Sequence, residues 1–281
     1  EPVHECRDHP SRWWHSDASK IMADEAGSEA VVADDAVLTE ARGRVLLITL
    51  NRPDAMNAIN GALSSGLVAA IQELDSNPEY TVGVLAGNGR GFSAGMDLKA
   101  FAAGEDIGPL MDFIKQGSEK PLIGAVEGFA LAGGLEMALT CDLLVAAEGA
   151  KLGIREVKVG LFAAGGGLQR LPSRVGFSRA MEMAITGDPI LAEEAKDAGM
   201  VARVAPKGEA VKVALELAEA VAVNAPLAVA ASKKLIWAAT DKPEAEFWGV
   251  QNSLMGVFKS NDAKEGPRAF AEKRAPEWTG T

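Results

Sequence analysis

Histidine is almost missing from this sequence. The only three, His4, His9 and His15, fall within residues 1–21, and none follows Met22. Cysteine is nearly as scarce: Cys6 sits among those histidines, and Cys141 is the only one beyond Met22. Serine–histidine and cysteine–histidine catalysis and histidine-ligated zinc are therefore implausible for the main body of the chain. Proton transfer must fall to carboxylates, lysines or the single tyrosine, Tyr80. Two cysteines so far apart make no disulfide framework, and reduced thiols in the cytoplasm are the expectation.

Positive charge is also in deficit. With 28 Lys and Arg against 39 Asp and Glu, the net charge of −11 argues against nucleic-acid or anionic-membrane partners, which require a basic face. An anionic ligand must then be met by a few placed lysines or by backbone N–H groups. No uninterrupted apolar run is long enough to span a membrane. The most apolar stretch, Pro121 to Ala147, is broken by Glu127, Glu136, Asp142 and several glycines, and reads as buried core. Aromatic residues make up only 5% of the chain while glycine occurs 30 times, which implies a core of Ala, Val and Leu with many tight turns.

Residues 1–21 are polar and aperiodic and lack the apolar centre of a signal peptide. They precede Met22, which reads as a natural start, so they are set apart as an upstream extension. The cluster of His4, His9, His15 and Cys6 has no flanking strand or helix pattern to frame it, and no metal site is expected.

Strand patterns appear at Val45–Leu50, Thr81–Ala86, Leu122–Val126 and Leu143–Ala147. Between the first two, Leu63, Leu67, Ala70, Ile71 and Leu74 form a helical stripe, and the glycine-preceded segment Gly134–Thr140 reads as a short helix. Alternating strands and helices predict an α/β architecture. Beyond residue 175 the character changes: Ala180–Thr186, Ala192–Ala198, Ala210–Val223, Pro226–Ala239 and Asp262–Arg274 read as helices, with one strand at Val201–Val204. The expected layout is a flexible extension over 1–30, an α/β core over 31–220 and a helical region over 221–281.

Three glycine-rich segments carry candidate chemistry. In Gly87–Lys99 (GNGRGFSAGMDLK) and Gly128–Ala138 (GFALAGGLEMA), glycines precede the first turn of a helix. The N–H groups there have no intrahelical acceptor and favour negative charge, so two such turns face to face would bind one oxyanion. Read by themselves, the same glycines serve equally well for tight turns and close packing. Glu136, in the second segment, and Glu156, in Lys151–Arg170 (KLGIREVKVGLFAAGGGLQR), lie among apolar residues that raise a carboxylate's pKa, as a general acid or base requires. For either one alone, an ion-paired structural glutamate is the competing reading.

Six ordered blocks turn these hints into a resemblance: NRPDAMNAIN (51–60), GFSAGMDLK (91–99), GFALAGGLEMALTCDLLVAA (128–147), LGIREVKVGL (152–161), GGGLQRLP (165–172) and AFAEKR (269–274). From about Ala36 to Arg274 the chain resembles the enoyl-CoA hydratase/isomerase (crotonase) family. The resemblance implies a spiral of ββα turns followed by a helical C-terminal trimerisation region, assembled as a homotrimer or dimer of trimers. It implies hydration of a 2-enoyl-CoA to a 3-hydroxyacyl-CoA, with no cofactor beyond the CoA of the substrate itself.

Carried over residue by residue, it implies backbone oxyanion donors at Met96 and Gly133 and a catalytic pair at Glu136 and Glu156. It implies CoA contacts at Ala55, Met56, Ala94, Met96, Asp97, Leu98, Lys99 and Gly133, and at Phe270 and Lys273 near the 3′-phosphate. Ala164 stands where many hydratases carry glycine, and the segment GLFAAGGG lacks the usual proline. Isomerisation, dehydration of a substituted acyl-CoA, and non-catalytic acyl-CoA binding are the alternatives. The intact carboxylate pair favours hydration.

Overall fold

Strand β1 (Val37–Arg42) runs along the surface and turns back at Gly43 into β2 (Val45–Leu50), its antiparallel partner. The computed structural model describes residues 35–281, so the extension with its histidines and Cys6 lies outside the described residues. In β2 both faces are buried: Val45 and Leu47 point into one apolar cluster, Leu46, Ile48 and Leu50 into another. Such strands lie between two layers of helices, and their continuous apolar runs follow from that.

The chain then crosses through α1 (Gly61–Ser76), whose predicted stripe Leu63, Leu67, Ala70, Ile71 and Leu74 is buried, into β3 (Val82–Gly87), parallel to β2. Asn60 caps α1 by accepting from the Leu63 N–H at 3.0 Å. Helices α2 (Leu98–Ala102) and α3 (Gly108–Gln116) lead to β4 (Leu122–Val126), parallel to β3. After β4 the chain departs into a second sheet. Strand β5 (Phe129–Leu131) is followed by α4 (Gly133–Thr140), then β6 (Leu143–Ala147) returns beside β4 and β7 (Lys151–Gly153) beside β5. These two turns each place one strand in the large sheet and one in the small sheet.

Two packed helices follow, α5 (Gly167–Val175) and α6 (Phe177–Thr186), then β8 (Ile190–Leu191), α7 (Ala192–Asp197) and β9 (Arg203–Ala205). The large sheet has the order β1-β2-β3-β4-β6-β9, the small one β5-β7-β8. Helix α8 (Ala210–Ala222) covers one face of the large sheet with Ala210, Ala214, Ala218 and Ala222, all buried. Alanines at every fourth position let the helix axis approach the strands closely. The chain ends in α9 (Pro226–Asp241), α10 (Glu244–Ser253) and α11 (Asn261–Glu272).

Residues Asp35–Thr281 form one compact unit, and the expected line at 220/221 falls in the last turn of α8. The expected helices and strands appear within a few residues. The strand expected at Val201–Val204 is found at Arg203–Ala205, and its pairing with β6 opens where the Ala202 N–H donates to Leu144 O (2.8 Å). Among the described residues no single helix is long and apolar enough to cross a membrane. The bent pair Ala210–Ala222 and Pro226–Thr240 passes by length and composition alone, and the alanine stripe of α8 is spent on the sheet.

Candidate active site

The segment after β2 and the segment after β3 are stitched together by backbone bonds. The Ala94 N–H donates to Met56 O (3.0 Å), Ile59 to Gly95 O (2.8 Å) and Asp97 to Ile59 O (2.9 Å). Fully buried Asn57, at φ 51°, locks the stitch. Its Nδ2 donates to the carbonyls of Asn88 (2.9 Å) and Gly91 (3.0 Å), while its Oδ1 accepts from the Arg52 N–H (2.9 Å). Ser93 Oγ donates to Asn57 O (2.9 Å) and accepts from the Gly95 N–H (3.2 Å). A satisfied buried polar network of this kind specifies one backbone path.

That path leads to the first turn of α4. Leu131 donates its N–H to Ser93 O (3.0 Å), and a Cβ on Gly134 would stand only 2.4 Å from that same carbonyl oxygen. Gly95 turns at φ +96°, where a Cβ would come 3.1 Å from Gly133 N; a Cβ on Gly133 would lie 3.7 Å from Met96 N. The N–H groups of Met96 and Gly133 are therefore neighbours, and neither donates to a protein acceptor among the described residues. For Gly133 this follows from its place as the first residue of α4. Ala132, just before it, is held at φ 51°, ψ −129°, a strained conformation for a residue with a Cβ, while its N–H donates to Gly153 O (2.8 Å).

One turn along α4 stands Glu136, only 6% exposed. Its Oε1 accepts from the Gly167 N–H at 2.9 Å. Glycines 165 and 167 close over it: a Cβ on Gly165 would lie 2.8 Å from Glu136 Oε2. Burial pushes the carboxyl pKa above the ordinary range, against the opposing pull of the Gly167 and Gly165 N–H groups and the Arg170 charge. Glu156 opens the 3-10 turn Glu156–Val159. Its pKa is raised as well, first by burial and further by the negative charge of Glu136. Glu156 Oε2 is the one buried side-chain oxygen or nitrogen without a hydrogen-bond partner among the described residues.

The residues singled out from the sequence divide into two groups. Ala55, Met56, Ala94, Met96, Asp97 and Gly133 are joined through the stitched turns, with Glu136 on the same helix as Gly133. The Met96 side chain packs against the core. The Asp97 carboxylate caps α2, accepting from the N–H groups of Lys99 (3.1 Å) and Ala100 (3.3 Å), and pairs with Arg52 at 3.2 Å. The Ala100 N–H above all, then Arg52, holds its pKa below the usual range. Leu98 and Lys99 stand exposed on α2. Phe270 and Lys273 lie apart: the hydrogen bonds of α11 run to residues 273–281, and Phe270 is 87% exposed.

Sequence reading missed the supports. Asn57, Ser93, Gly165 and Gly167 all sit inside blocks quoted for the resemblance, and a polar residue in a glycine-rich turn was the available signal. Among the described residues no group of three or more His, Cys, Asp or Glu side chains is arranged to hold a metal ion.

The profile of the family described as "Enoyl-CoA hydratase/isomerase" matches residues 40–281. Enoyl-CoA hydratase EchA19 of Mycobacterium tuberculosis (strain ATCC 25618 / H37Rv) is 42% identical over 251 residues, spanning 85% of this chain and 94% of that protein. A carnitinyl-CoA dehydratase of Salmonella typhi is 41% identical over 253 residues, 85% of this chain and 96% of its own. Among solved structures, an enoyl-CoA hydratase from Mycobacterium tuberculosis H37Rv superposes with a TM-score of 0.85 at 49% identity, covering 88% of this chain and 100% of that one.

Proposed function

The chain belongs to the enoyl-CoA hydratase/isomerase family, and from that premise we propose that Glu136 and Glu156 together add water to a 2-enoyl-CoA polarised by the backbone of Met96 and Gly133. It has the crotonase fold and is a hydro-lyase of the enoyl-CoA hydratase type, converting a 2-enoyl-CoA to a 3-hydroxyacyl-CoA. In the proposed site the thioester oxygen accepts from the two N–H groups, which otherwise lack acceptors, so that C3 becomes electrophilic and negative charge gathers on the enolate oxygen. Glu136 takes a proton from water as its oxygen bonds to C3. Glu156 delivers a proton to C2, and the enolate collapses back to the thioester. Nothing is oxidised or reduced, so the reaction needs no cofactor.

The observation that carries this reading is the carboxylate pair. Two acids share an apolar site, one raises the pKa of the other, and Glu156 leaves a buried oxygen unpaired. Such groups cost stability unless they are used. The test is a panel of 2-enoyl-CoA thioesters, followed by loss of the absorbance of the conjugated double bond. Rapid hydration of at least one member is expected; binding without turnover would replace the enzyme reading with an acyl-CoA-binding protein. Dehydration of a substituted acyl-CoA is the second reading, supported by the carnitinyl-CoA dehydratase relative.

In the same reading CoA lies along Ala55, Met56 and Ala94 to Lys99, with Lys273 and Phe270 meeting its 3′-phosphate. Assembly as a homotrimer or dimer of trimers is supported by the exposed side chains of Ile236, Trp248, Phe258 and Phe270 on the C-terminal helices. A cytoplasmic location fits the free, buried Cys141.

A further inference from the structure

Behind the catalytic face of α4 lies a cavity of about 540 Å³, a size typical of small-molecule sites. Its walls come from the end of α3, from Thr140 of α4, from α5, and from α9 with the 3-10 helix Met255–Lys259. On α4, Gly133, Glu136 and Thr140 are spaced three and four residues apart and share one stripe. Thr140 lies roughly 10 Å along the axis from Gly133. An acyl chain that starts at the Met96 and Gly133 N–H groups and follows this stripe past Glu136 therefore points to the cavity.

Arg170 lines the cavity and acts on Glu136 through its charge. It sits on α5 one turn after Gly167, the residue that holds Glu136, and donates to Ile114 O at 2.5 Å. Its Nη1 folds back to within 2.6 Å of where a Gly166 Cβ would be. The far wall is firmly docked: Lys233 pairs with Asp142 at 2.9 Å, with its side chain only 12% exposed, and the Trp237 indole N–H donates to the same carboxylate at 2.6 Å.

The lining is charged in the opposite sense to the protein. A chain of net charge −11 places Lys115, Arg170, Lys233 and Lys234 around this cavity against the single acid Glu119. Lys115 and Lys234 form no ion pair among the described residues. Leu227, Leu254 and Val257 provide apolar surface between them. Lys115 and Lys234 are the exposed ammonium groups of this lining; a methyl-ended chain would bring them no partner, and a cationic end would be repelled. A carboxylate would form charge-assisted bonds with them.

We propose that this cavity receives the far end of the acyl chain and selects acyl-CoA substrates that end in a carboxylate. The inference rests on the proposed thioester position at Met96 and Gly133. It separates this protein from relatives whose substrates end in a quaternary ammonium.

The test uses three 2-enoyl-CoA thioesters of equal chain length, ending in a carboxylate, a methyl or a trimethylammonium group. The carboxylate form should have a kcat/KM at least tenfold above the methyl form, with the trimethylammonium form lowest. In the Lys115→Gln/Lys234→Gln double variant that ratio should collapse toward unity, and Lys234→Glu should shift it toward the cationic substrate. Equal kcat/KM for the carboxylate and methyl forms in the unaltered protein would overturn the proposal. So would an equal loss for all three substrates in the double variant, which would assign the lysines to the CoA moiety. If none of the three, nor a four-carbon enoyl-CoA, is hydrated, the hydratase reading fails. Calorimetric binding of the saturated thioesters then decides the cavity separately: tighter binding of the carboxylate-ended chain supports it, and equal affinity overturns it.

Discussion

Glu136 on α4 and Glu265 on α11 are each 6% exposed, yet their surroundings differ in every other respect. Glu265 is saturated. Arg274 donates to both its oxygens (2.5 and 3.0 Å), Arg268 donates as well, and the Glu277 N–H adds a bond at 3.0 Å. Its neighbour Asp262 accepts from Thr279 N–H (2.7 Å) and Gly280 N–H (3.0 Å), so the two acids strap residues 277–281 onto α11. Arg274 above all holds the Glu265 carboxyl well below the usual range. Glu136 accepts from the Gly167 N–H (2.9 Å) with the Gly165 N–H also turned toward it, yet burial outweighs both and raises its pKa, and its near neighbour Glu156 keeps an oxygen with no bond at all. Burial by itself therefore says little about an acid. A carboxylate held by guanidinium groups has its pKa lowered, and one whose burial outweighs its donors has it raised, as the proposed proton exchange requires.

The sharpest way to break this comparison is to remove the proton-transfer capacity and keep the shape. Glu136→Gln and Glu156→Gln are each expected to lower kcat by about 10²–10⁴-fold. The double variant should fall far short of the product of the two losses, since groups acting as a unit are not additive. Single-turnover kinetics with the best enoyl-CoA substrate measures both. Loss from only one substitution would turn the assignment toward an isomerase with a single working carboxylate.

Displacing the carboxylate without altering it should cost less. In Gly165→Ala the new methyl group would stand 2.8 Å from Glu136 Oε2, so the atoms it displaces are those of the carboxylate. A shift of that order is expected to lower kcat by about 10²-fold while thermal unfolding stays cooperative. An unchanged kcat would mean that the placement of Glu136 is not critical.

The two acid sites should also respond to pH with opposite signs. A raised folded-state pKa makes the charge of Glu156 a cost that grows as pH rises from the ordinary carboxylate range through the folded value. Glu156→Gln should therefore raise Tm at neutral pH, by about 2–4 °C for roughly 1 kcal/mol of relieved burial, and the gain should fade on acidification. A depressed folded-state pKa means that Glu265 contributes stability above the ordinary range and loses it as pH falls toward the folded value. Glu265→Gln should lower Tm at neutral pH, by an amount that shrinks in acid. Scanning calorimetry across pH 4–8 distinguishes the two; slopes of the same sign would undo the contrast.

The smallest effect belongs to Lys273. It sits at φ 56° as the C-cap of α11, so Lys273→Gly removes the charge without straining the backbone. KM for CoA substrates is expected to rise several-fold, about 1 kcal/mol, and much less for substrates lacking the 3′-phosphate. Equal changes for both would separate Lys273 from the phosphate.

Much of this was legible in advance because apolar periodicity reports burial directly. The runs at Val45–Leu50, Leu122–Val126 and Leu143–Ala147 are strands apolar on both faces, and they proved to be the centre of the large sheet. The edge strand β1, VLTEAR, escaped because only Val37 is half-buried and the rest, Leu38 included, face solvent. The strands of the small sheet escaped because two or three residues carry no period. Helix α5 was hidden by Pro172, which sits within it and removes one N–H.

The sequence by itself made histidine catalysis implausible beyond Met22, placed Glu136 and Glu156 in apolar surroundings, and set glycine-rich turns before helices. The tertiary structure decided which turns meet. Met96 and Gly133 are 37 positions apart, and their N–H groups become neighbours only because Asn57 and Ser93 fix one backbone path and Gly134 lets α4 touch Ser93. It also decided that Glu136 meets the N–H groups of two glycines, while Glu265 accepts from two arginines and a backbone N–H. Local sequence sets propensity and polarity, but hydrogen-bond satisfaction belongs to pairs of distant segments, and pairing exists only once the sheets have brought them together.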